Sequence, residues 1–331
     1  MLDVIQTVLG AVATKDIIPV LTHIYIAPDG VQGSNGRISI HYPGNTPVEQ
    51  VVCLPGRKLQ QALKKGKEPK WSTTEHSLTL TAGNLRVRLP ISPAPYPVTE
   101  PSQSNPLPIQ DPGEFLGTLG TLRPFVAQDG SKPWACGVLV KGNAMYATNN
   151  VVLTRLRWRG LDGGGLPATN IPMDAIDEIL RLSKAGHTPA HIRVDDTSFT
   201  LVYDTGVWLR TTLLQNDWPD ADSMLDAAPA GEPYAGTLLD DLRDGVDAVV
   251  PFSVDERAPV VELSASGMQT REGDVQATVE LVGLPDGSYL AEVLGLVLGA
   301  ADQVYFDDYP KPIHFTGRGG ELKGIFAGVR S

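Results

Sequence analysis

Residues 171–219, IPMDAIDEILRLSKAGHTPAHIRVDDTSFTLVYDTGVWLRTTLLQNDWP, decide the predicted fold of this chain. Ile176 and Ile179 recur at the spacing of one helical face, and Pro172 stands in a first turn, where a missing N–H is tolerated. Three runs of alternating apolar and polar residues then predict antiparallel strands joined by tight turns. The stretch closes on the pair Trp218-Pro219. It therefore predicts one helix followed by a three-stranded meander.

The same order of elements occurs earlier in the chain, from Leu54 to Pro97. Pro55 precedes an apolar helix face, strand-like runs lie on both sides of Gly83-Asn84, and Tyr96-Pro97 closes the stretch. The two closing pairs are 122 residues apart, from Pro97 to Pro219. A repeat of that length has the size of a domain rather than of a solenoid unit.

The segments ahead of these two stretches also correspond. Apolar residues predict a first helix over residues 2–9 and an equivalent helix over residues 115–122. Ser34-Asn35 and Thr148-Asn149 stand at matching places in the strands that follow. A third, more diverged copy begins at about Gly236. Its predicted elements are helices over Leu238–Val246 and Tyr289–Leu298 and strands over Val260–Ser264, Val275–Val282, Gln303–Asp307, Ile313–Thr316 and Gly324–Val329.

Three copies of one order of helices and strands predict an α+β fold of three tandem domains, each with two helices packed on antiparallel sheets. The predicted domains are residues 1–107, 108–225 and 226–331. The proline-rich segment Ile91–Pro112 and the Asp-, Ala- and Pro-rich segment Pro219–Pro233 are the expected connections between them.

Composition narrows the class of protein. The 331 residues contain no charged-then-apolar leader and no apolar run of about 20 residues, so we expect a soluble cytoplasmic protein without a membrane segment. Cys53 and Cys136 are too few for a disulfide framework or a structural zinc site. We expect two buried free thiols.

The net charge of −11 is unevenly distributed. Residues 1–107 carry 10 Lys+Arg and 7 Asp+Glu, a charge of +3. Residues 108–225 carry 10 and 13, a charge of −3, and residues 226–331 carry 7 and 18, a charge of −11. The acidic residues are therefore concentrated in the third predicted domain.

Sequence motifs for catalysis are absent. The chain has no phosphate-binding loop, no nucleophile elbow and no H-E-x-x-H zinc motif. Pro189 separates His187 from His191, and the aspartate pairs 195–196 and 307–308 stand where turns are expected, so loop and turn roles outweigh metal binding. We expect no catalytic residue, no metal and no cofactor.

Basic residues on predicted helices are the main functional signal. Arg57, Lys58, Lys64 and Lys65 lie opposite the apolar face of the second helix, within an acidic protein. Cations gathered on helix faces of an acidic protein indicate a localised binding track for a polyanion, although for any single lysine an ordinary solvated face is the favoured explanation. No aromatic-interleaved basic motif is present, so base-specific contacts are not predicted.

Four stretches and their order resemble the bacterial DNA sliding clamp, the β subunit of the replicative polymerase. These are PVLTHIYI (19–26), ATNNVVLTRL (147–156), IPMDAIDEILRL (171–182) and IFAGVR (325–330), together with the Trp218-Pro219 pair. The resemblance implies a non-enzymatic processivity factor that encircles double-stranded DNA as a head-to-tail homodimer ring. Its implied partners are a DNA polymerase and a clamp loader ATPase, and the short chain suits a phage- or plasmid-encoded member.

The resemblance also implies a hydrophobic cleft that accepts short peptides from partner proteins. Asn150-Val151-Val152 replace the family's Gly-His-Arg, and Ala327-Gly328-Val329 replace its Met-Pro-Met, so we expect a shallower and less adaptable cleft. Simple interdomain packing is the alternative role for these residues. The expected cleft residues are Thr148, Asn150, Val151, Val152, Leu153, Pro219, Met224, Pro310, Pro312, Ile325, Ala327, Gly328 and Val329.

DNA contacts are expected from basic residues on the helices and from two loops. Gln128 and Asp129 fall on the family's second-domain loop, where Pro133 and Trp134 replace its usual tyrosines. The expected DNA-binding residues are Lys15, Arg57, Lys58, Lys64, Lys65, Arg123, Lys132, Arg181 and Lys184.

Two other functions stay open from the sequence. A phage structural ring or tail component could be built from the same repeats without any DNA-tethering role. A Mg²⁺-dependent nuclease using Asp307 and Asp308 ranks third, since adjacent carboxylates can hold that ion.

Overall fold

The structure is a computed structural model that describes residues 1–15, 17–66, 69–161, 166–214, 218–253, 258–272, 275–281 and 283–329, without the side chains of residues 271, 272, 275 and 308. In this part of the chain, no α-helix is long and apolar enough to cross a bilayer. The helices are α1 (Leu2–Val8), α2 (Gly56–Lys65), α3 (Pro112–Leu122), α4 (Met173–Lys184), α5 (Ala221–Leu225), α6 (Thr237–Val249) and α7 (Ala291–Ala300).

The strands pair antiparallel throughout the described sheets. They are β1 (His23–Ala27), β2 (Gly30–Ser34), β3 (Ile38–Pro43), β4 (Val52–Pro55), β5 (Lys70–Thr73), β6 (Ser77–Ala82), β7 (Leu85–Pro90), β8 (Leu107–Pro108), β9 (Gly137–Gly142), β10 (Ala144–Thr148), β11 (Val152–Arg157), β12 (Leu166–Pro172), β13 (Pro189–Val194), β14 (Ser198–Tyr203), β15 (Trp208–Thr212), β16 (Tyr234–Ala235), β17 (Val260–Ser264), β18 (Gly267–Glu272), β19 (Val275–Val279), β20 (Gly287–Leu290), β21 (Gln303–Tyr305), β22 (Ile313–Gly317) and β23 (Leu322–Phe326).

Contacts divide the chain into two compact units, and the first comprises Met1–Leu116, Gly160–Gly164 and Asp174–Leu213. It contains an eight-stranded sheet in the order β4-β1-β2-β3-β15-β14-β13-β8 and a three-stranded sheet in the order β5-β6-β7. The buried side chains Ile5 and Val8 give α1 an apolar face, and α1 packs on β2 and β3. This unit therefore joins strands of the first and second predicted domains in one sheet.

The second unit comprises Gly117–Arg159, Gly165–Met173 and Leu214–Ser331. Its eight-stranded sheet runs β12-β9-β10-β11-β23-β22-β21-β16, and a four-stranded sheet runs β19-β18-β17-β20. Stacked and edge-to-face contacts among Phe125, Phe315, Phe326 and Tyr289 fill its core. Each eight-stranded sheet thus forms where a third strand, β3 or β11, meets the last strand of a later meander, β15 or β23.

Two pairs of equivalent side-chain hydrogen bonds confirm the internal repeat between the first two copies. In one pair, the Asn35 side-chain oxygen accepts from the amides of residues 37 and 38, and that of Asn149 accepts from residues 151 and 152. In the other, Arg88 Nε donates to Ser77 Oγ at 2.9 Å, and Arg210 Nε donates to Ser198 Oγ at 3.2 Å. Side chains at equivalent positions therefore make equivalent bonds.

Most predicted elements are confirmed within a few residues, including the first helix and the strand Val260–Ser264. Several elements escaped prediction, among them β18, β20 and α5. The expected helix start at Pro172 was one residue early, because Pro172 is the last residue of β12, opposite Gly137, and α4 begins at Met173. Cys53 is buried as expected, whereas Cys136 is only half-buried.

The proline-rich segment after Pro97 is extended, as expected, but it is also fastened to the first unit's sheet. Gln32, which is only 2% exposed, donates from Nε2 to the Thr99 carbonyl at 2.8 Å and accepts from the Thr99 amide at 2.9 Å. Further along, the Ser102 amide donates to Thr200 Oγ1, and Arg193 donates to the Ser104 carbonyl. We call residues 98–104 the strap, because they cross the face of this sheet.

Candidate functional site

A cleft of about 410 Å³ opens on the second unit. Its size is that of a typical small-molecule or peptide site. The end of β10, the turn that follows it, β11, β23 and the region of α5 form its walls. The lining residues are Lys132, Trp134, Thr148, Asn150, Val151, Val152, Leu153, Pro219, Met224, Pro312, Ile325, Phe326 and Ala327.

The floor of the cleft is apolar and rigidly placed. Leu153 on β11 lies directly opposite Ile325 on β23. Both belong to a buried cluster with Tyr146, Ala221 and Leu225, against which Trp218 also packs. Because this cluster anchors the floor from below, a bound apolar side chain would meet a preformed surface.

The turn after β10 forms one rim of the cleft. Asn150 has a φ of 72°, a left-handed conformation that asparagine tolerates better than most residues. Its amide donates to Thr148 Oγ1 at 3.1 Å. On the far side of the turn, the Ala327 amide donates to the Val151 carbonyl at 3.0 Å, so the chain after β23 continues along the same rim.

Met224 of α5 and Trp134 form another part of the wall. Asp220 caps α5 by accepting from the Ser223 amide at 3.3 Å, and Met224 remains 44% exposed within the cleft. Trp134 contacts Trp218 edge to face with ring centroids 5.2 Å apart. An exposed methionine beside indole rings offers a soft, adaptable surface to an apolar ligand.

The structure brings ten of the thirteen expected cleft residues to the cleft, all except Pro310, Gly328 and Val329. Val329 instead turns to β20, since its amide donates to the Ser288 carbonyl at 2.7 Å and its carbonyl accepts from the Tyr309 hydroxyl. Phe326 and Trp134 were not expected to line the cleft. Trp134 carried a signal nonetheless, because tryptophan is enriched among residues that bind partners.

The expected DNA-binding residues fall into two groups. Lys15, Arg57, Lys58, Lys64, Lys65 and Lys184 are exposed. Lys64 and Lys65 occupy the last turn of α2, where the helix dipole favours cations. Leu59 and Leu63 form its buried face.

The second group differs from expectation. Arg181 Nε donates to Glu178 at 2.7 Å and its Nη2 donates to the Thr7 carbonyl at 2.7 Å, so this guanidinium ties α4 to the end of α1 within the first unit. Lys132 is exposed but lines the cleft. Arg123 is half-buried at the end of α3. DNA binding by these three residues stays a prediction, with Arg181 the least available.

Helix α6 carries the opposite charge to α2. The buried side of this helix is apolar and includes Leu239 and Leu242. Its exposed side carries four carboxylates. The exposed acidic residues are Asp240, Asp241, Asp244 and Asp247.

Potential metal sites do not appear in the described residues, where no three His, Cys, Asp or Glu side chains are grouped to hold an ion. Asp195 accepts from the amides of Thr197 and Ser198, which is the turn role expected of it. His187 Nδ1 lies 2.9 Å from Thr205 Oγ1. The Asp308 side chain lies outside the described residues.

An ion-pair network adjoins the cleft on the other side of α5. Arg155, with a side chain only 10% exposed, donates to Asp222 at 2.7 Å and to Asp226 at 2.6 Å. Lys141 pairs with Asp222 at 3.2 Å, and Lys323 pairs with Asp226 at 3.0 Å. Hydrogen bonds from Arg155 and then Lys323 hold the pKa of Asp226 well below its usual range.

No family model matches the sequence, and no curated protein matches it. Solved structures do match. The chain is 20% identical to the β sliding clamp of Caulobacter crescentus, with a TM-score of 0.88 over 100% of this chain and 97% of that one.

Two further structures carry bound molecules. The sliding clamp (DNA polymerase III subunit β) from Bartonella birtlesii, bound to griselimycin, is 15% identical with a TM-score of 0.87. The Helicobacter pylori β clamp, bound to a DNA ligase peptide, is 13% identical with a TM-score of 0.79. Both matches cover 100% of this chain and 97% of the other. The chain therefore has the fold of the bacterial DNA polymerase III β sliding clamps.

Proposed function

We propose that this protein is a DNA polymerase processivity factor, a sliding clamp without enzymatic activity of its own. The observation that carries the proposal is the apolar cleft at the β11–β23 junction of a chain that has the clamp fold over its full length. A clamp loader ATPase would open the ring and place it on DNA, and a DNA polymerase would be tethered through the cleft.

The unpaired sheet edges support a head-to-tail homodimer of three-domain chains, divided at 1–107, 108–225 and 226–331. Within the chain, β3 pairs with β15 and β11 pairs with β23. The next strands in the repeat order are β19 and β7. Among the described strands, none pairs with the outer edge of either one. Pairing β19 with β7 of a second copy continues the series, and two such junctions close a ring.

DNA would be held by enclosure and by mobile contacts to phosphate. The exposed lysines and the single arginine of α2 supply cations without any base-reading motif, which suits sequence-independent binding. Weak contacts also suit sliding, since tight phosphate contacts would slow it. The charge contrast between residues 1–107, at +3, and residues 226–331, at −11, would favour association of the unlike ends of two copies.

The cleft would bind short peptides of partner proteins. The Helicobacter pylori clamp is bound to a DNA ligase peptide, and the clamps of Bartonella birtlesii and Pseudomonas aeruginosa are bound to griselimycin. An apolar floor at Leu153 and Ile325 with an exposed Met224 at the side suits ligands of that kind. Val151 and Ala327, smaller than the residues they replace, make this a shallow version.

Retention on DNA tests the proposal. The protein, loaded by its clamp loader onto a nicked circular plasmid, should co-elute with the circle on gel filtration and be released when the plasmid is linearised. Its mass in solution should be twice that of the 35.4 kDa chain. Equal retention on circular and linear DNA by a monomer would contradict it, and a ring with no retention on either would favour the structural-ring alternative.

Ligand binding tests the cleft separately. Griselimycin should bind the wild-type protein in isothermal titration calorimetry, and Met224→Glu should weaken that binding by about tenfold or more, because a carboxylate would face the apolar floor. Phe252→Glu is the matched control, since Phe252 is also exposed in the second unit but lies outside the cleft. An equal loss in both variants would contradict the assignment.

A further inference from the structure

Helix α5 is the least self-sufficient part of the cleft wall. It has five residues, Ala221–Leu225, and a helix of that length is not stable in water on its own. Met224 projects from it into the cleft, and Pro219 lies just ahead of it. Whatever docks α5 on the sheet therefore sets the position of this wall.

Two kinds of contact dock the helix. Ala221 and Leu225 bury their side chains in the apolar cluster above Leu153. Asp222 and Asp226, four residues apart and therefore on one side of the segment, both bind the guanidinium of Arg155. The apolar contact holds α5 on the sheet, while the two charged hydrogen bonds from one guanidinium fix the orientation of the helix.

The docking groups lie in one row across the sheet. Tyr146 on β10 is directly opposite Arg155 on β11, which is directly opposite Lys323 on β23. The Tyr146 hydroxyl donates to Asp222 at 2.8 Å, and the two cations hold Asp226. Leu153, two residues from Arg155, faces the same side of β11. The cleft floor and the anchor of its wall are therefore neighbours on one strand.

The first unit uses the same place in the repeat for the same purpose. Gln32 is the equivalent of Tyr146 in the repeat, since each lies three residues before the turn asparagine, Asn35 or Asn149. Gln32 hydrogen-bonds the backbone of Thr99, in the segment after the Tyr96-Pro97 pair. Tyr146 holds Asp222 in the segment after Trp218-Pro219. This position therefore fastens the connecting segment in both units. In the second unit, charged pairs to Arg155 are added.

We infer that Arg155 is a positioning residue, which through Asp222 and Asp226 holds α5 and thereby sets the opening of the apolar cleft. Arg155 does not itself line the cleft but a separate, polar cavity of about 590 Å³ beyond α5. The cleft part of this inference rests on the proposed function, whereas the docking of α5 does not. Because Arg155 does not touch the cleft, its effect on a cleft ligand would be carried by α5, the part of the wall that it holds.

Amide hydrogen exchange tests the docking directly. In Arg155→Gln, the amides of residues 221–226 should exchange at least about tenfold faster than in the wild type, because local opening of α5 becomes easier. Arg159→Gln is the matched control. It removes the same charge from the same cavity, but its partner is Glu321, at 2.8 Å, and not α5. Unchanged exchange at 221–226 in Arg155→Gln would overturn the inference.

Griselimycin affinity, measured by calorimetry, tests the consequence. Arg155→Gln and the milder Asp226→Asn should weaken binding by about tenfold and about threefold, and Arg155→Lys should restore part of the loss, since lysine keeps the charge without the fork. Faster exchange with unchanged affinity would overturn the positioning role. A wild-type protein that does not bind griselimycin, yet whose α5 amides respond to Arg155→Gln, would contradict the proposed function and leave the docking supported.

Discussion

At two equivalent turns, a single asparagine side chain accepts hydrogen bonds from two backbone amides. Asn35 and Asn149 each bridge two amides with one side-chain oxygen, but the next residue differs. Gly36 has a φ of 86° and Asn150 a φ of 72°. Glycine takes this conformation freely, while asparagine takes it at some cost. The rim of the cleft therefore stands on a mildly strained residue.

The strain at Asn150 predicts an order of stabilities. Asn150→Ala should destabilise the protein by about 1 kcal/mol, because alanine lacks asparagine's tolerance of the left-handed region. Asn150→Gly should be close to neutral, since relief of strain offsets the entropy that glycine adds to the unfolded chain. Urea unfolding at pH 7 measures both. A glycine variant less stable than the alanine variant would contradict the order.

Asp195 predicts a pH dependence. Burial raises the pKa of its carboxyl, but hydrogen bonds from Ser198 and Thr197 outweigh burial and lower the pKa to about 2. A carboxyl whose pKa is lowered on folding contributes stability above its ordinary pKa and loses it as the pH falls through the folded value. The wild type should therefore lose stability between pH 4 and pH 2 partly through this group.

Asp195→Asn should flatten that loss, measured as the free energy of unfolding in urea at pH 4 and pH 2.5. At pH 7 the variant should be less stable by about 1 kcal/mol, since charged hydrogen bonds are replaced by neutral ones. Asp196→Asn removes one charge at the adjacent position and serves as the control. The same slope in Asp195→Asn and the wild type would contradict the assignment.

Residue types predicted which residues line the cleft better than they predicted which cations are exposed to solvent. Leu153 and Ile325 are apolar at positions fixed by strand order, so locating the strands located them. Arg181 is a cation on a helix, as expected, but its guanidinium hydrogen-bonds Glu178 and a carbonyl at the end of α1. Charge alone does not say whether a cation faces solvent or a carbonyl.

At the scale of elements, the two connecting segments show what composition conceals. Both are rich in proline, and both were expected to be linkers. One contains the strap, and the other contains α5, a helix too short to show apolar periodicity. Arg155, far away in sequence, holds it in place. Such an element follows from tertiary contacts and could not be predicted from its own residues.

The strap predicts the cost of losing its fastening. Gln32→Leu should destabilise the protein by about 1–3 kcal/mol, because the Thr99 amide and carbonyl would lose their partner at a buried site. It should also speed proteolysis within residues 98–104. Gln103→Leu is the matched control, since the Gln103 amide makes one exposed bond to the Pro101 carbonyl. Equal effects of the two substitutions would contradict the role of Gln32.

At the scale of the whole molecule, the repeat order determines which edges are left over. Each chain completes two eight-stranded sheets and retains a four-stranded and a three-stranded sheet. A sheet edge is a template for another strand. The same repeat that predicted three domains from the sequence therefore also predicts where a second copy attaches. The sequence alone could not supply the register of that contact, because the register follows from the residue pairs that the structure shows at its two completed junctions.

The repeats give that register. Arg88 and Arg210 are equivalent, because each donates to the serine that begins the neighbouring strand. Val87 and Leu209, one residue earlier, are therefore equivalent too, and Leu209 lies opposite Ile40. In the β2–β3 turn, the Asn35 amide donates to the Ile38 carbonyl, and Ile40 follows two residues after Ile38. In the β18–β19 turn, residue 272 pairs with residue 275, and Ala277 follows two residues after residue 275. Ala277 is therefore the equivalent of Ile40. We therefore expect Val87 of one copy to lie opposite Ala277 of the other.

Cross-linking measures this pairing. A chain carrying both Val87→Cys and Ala277→Cys should form covalent dimers in high yield with a short bis-maleimide, because directly opposed side chains lie about 5 Å apart at Cβ. Each single-cysteine variant controls for the native thiols. Val87→Cys with Gln276→Cys is the off-register control, since a shift of one residue turns the second thiol to the other face of the sheet. Equal yields from the two double variants, or a cross-link confined to one chain, would contradict the head-to-tail contact.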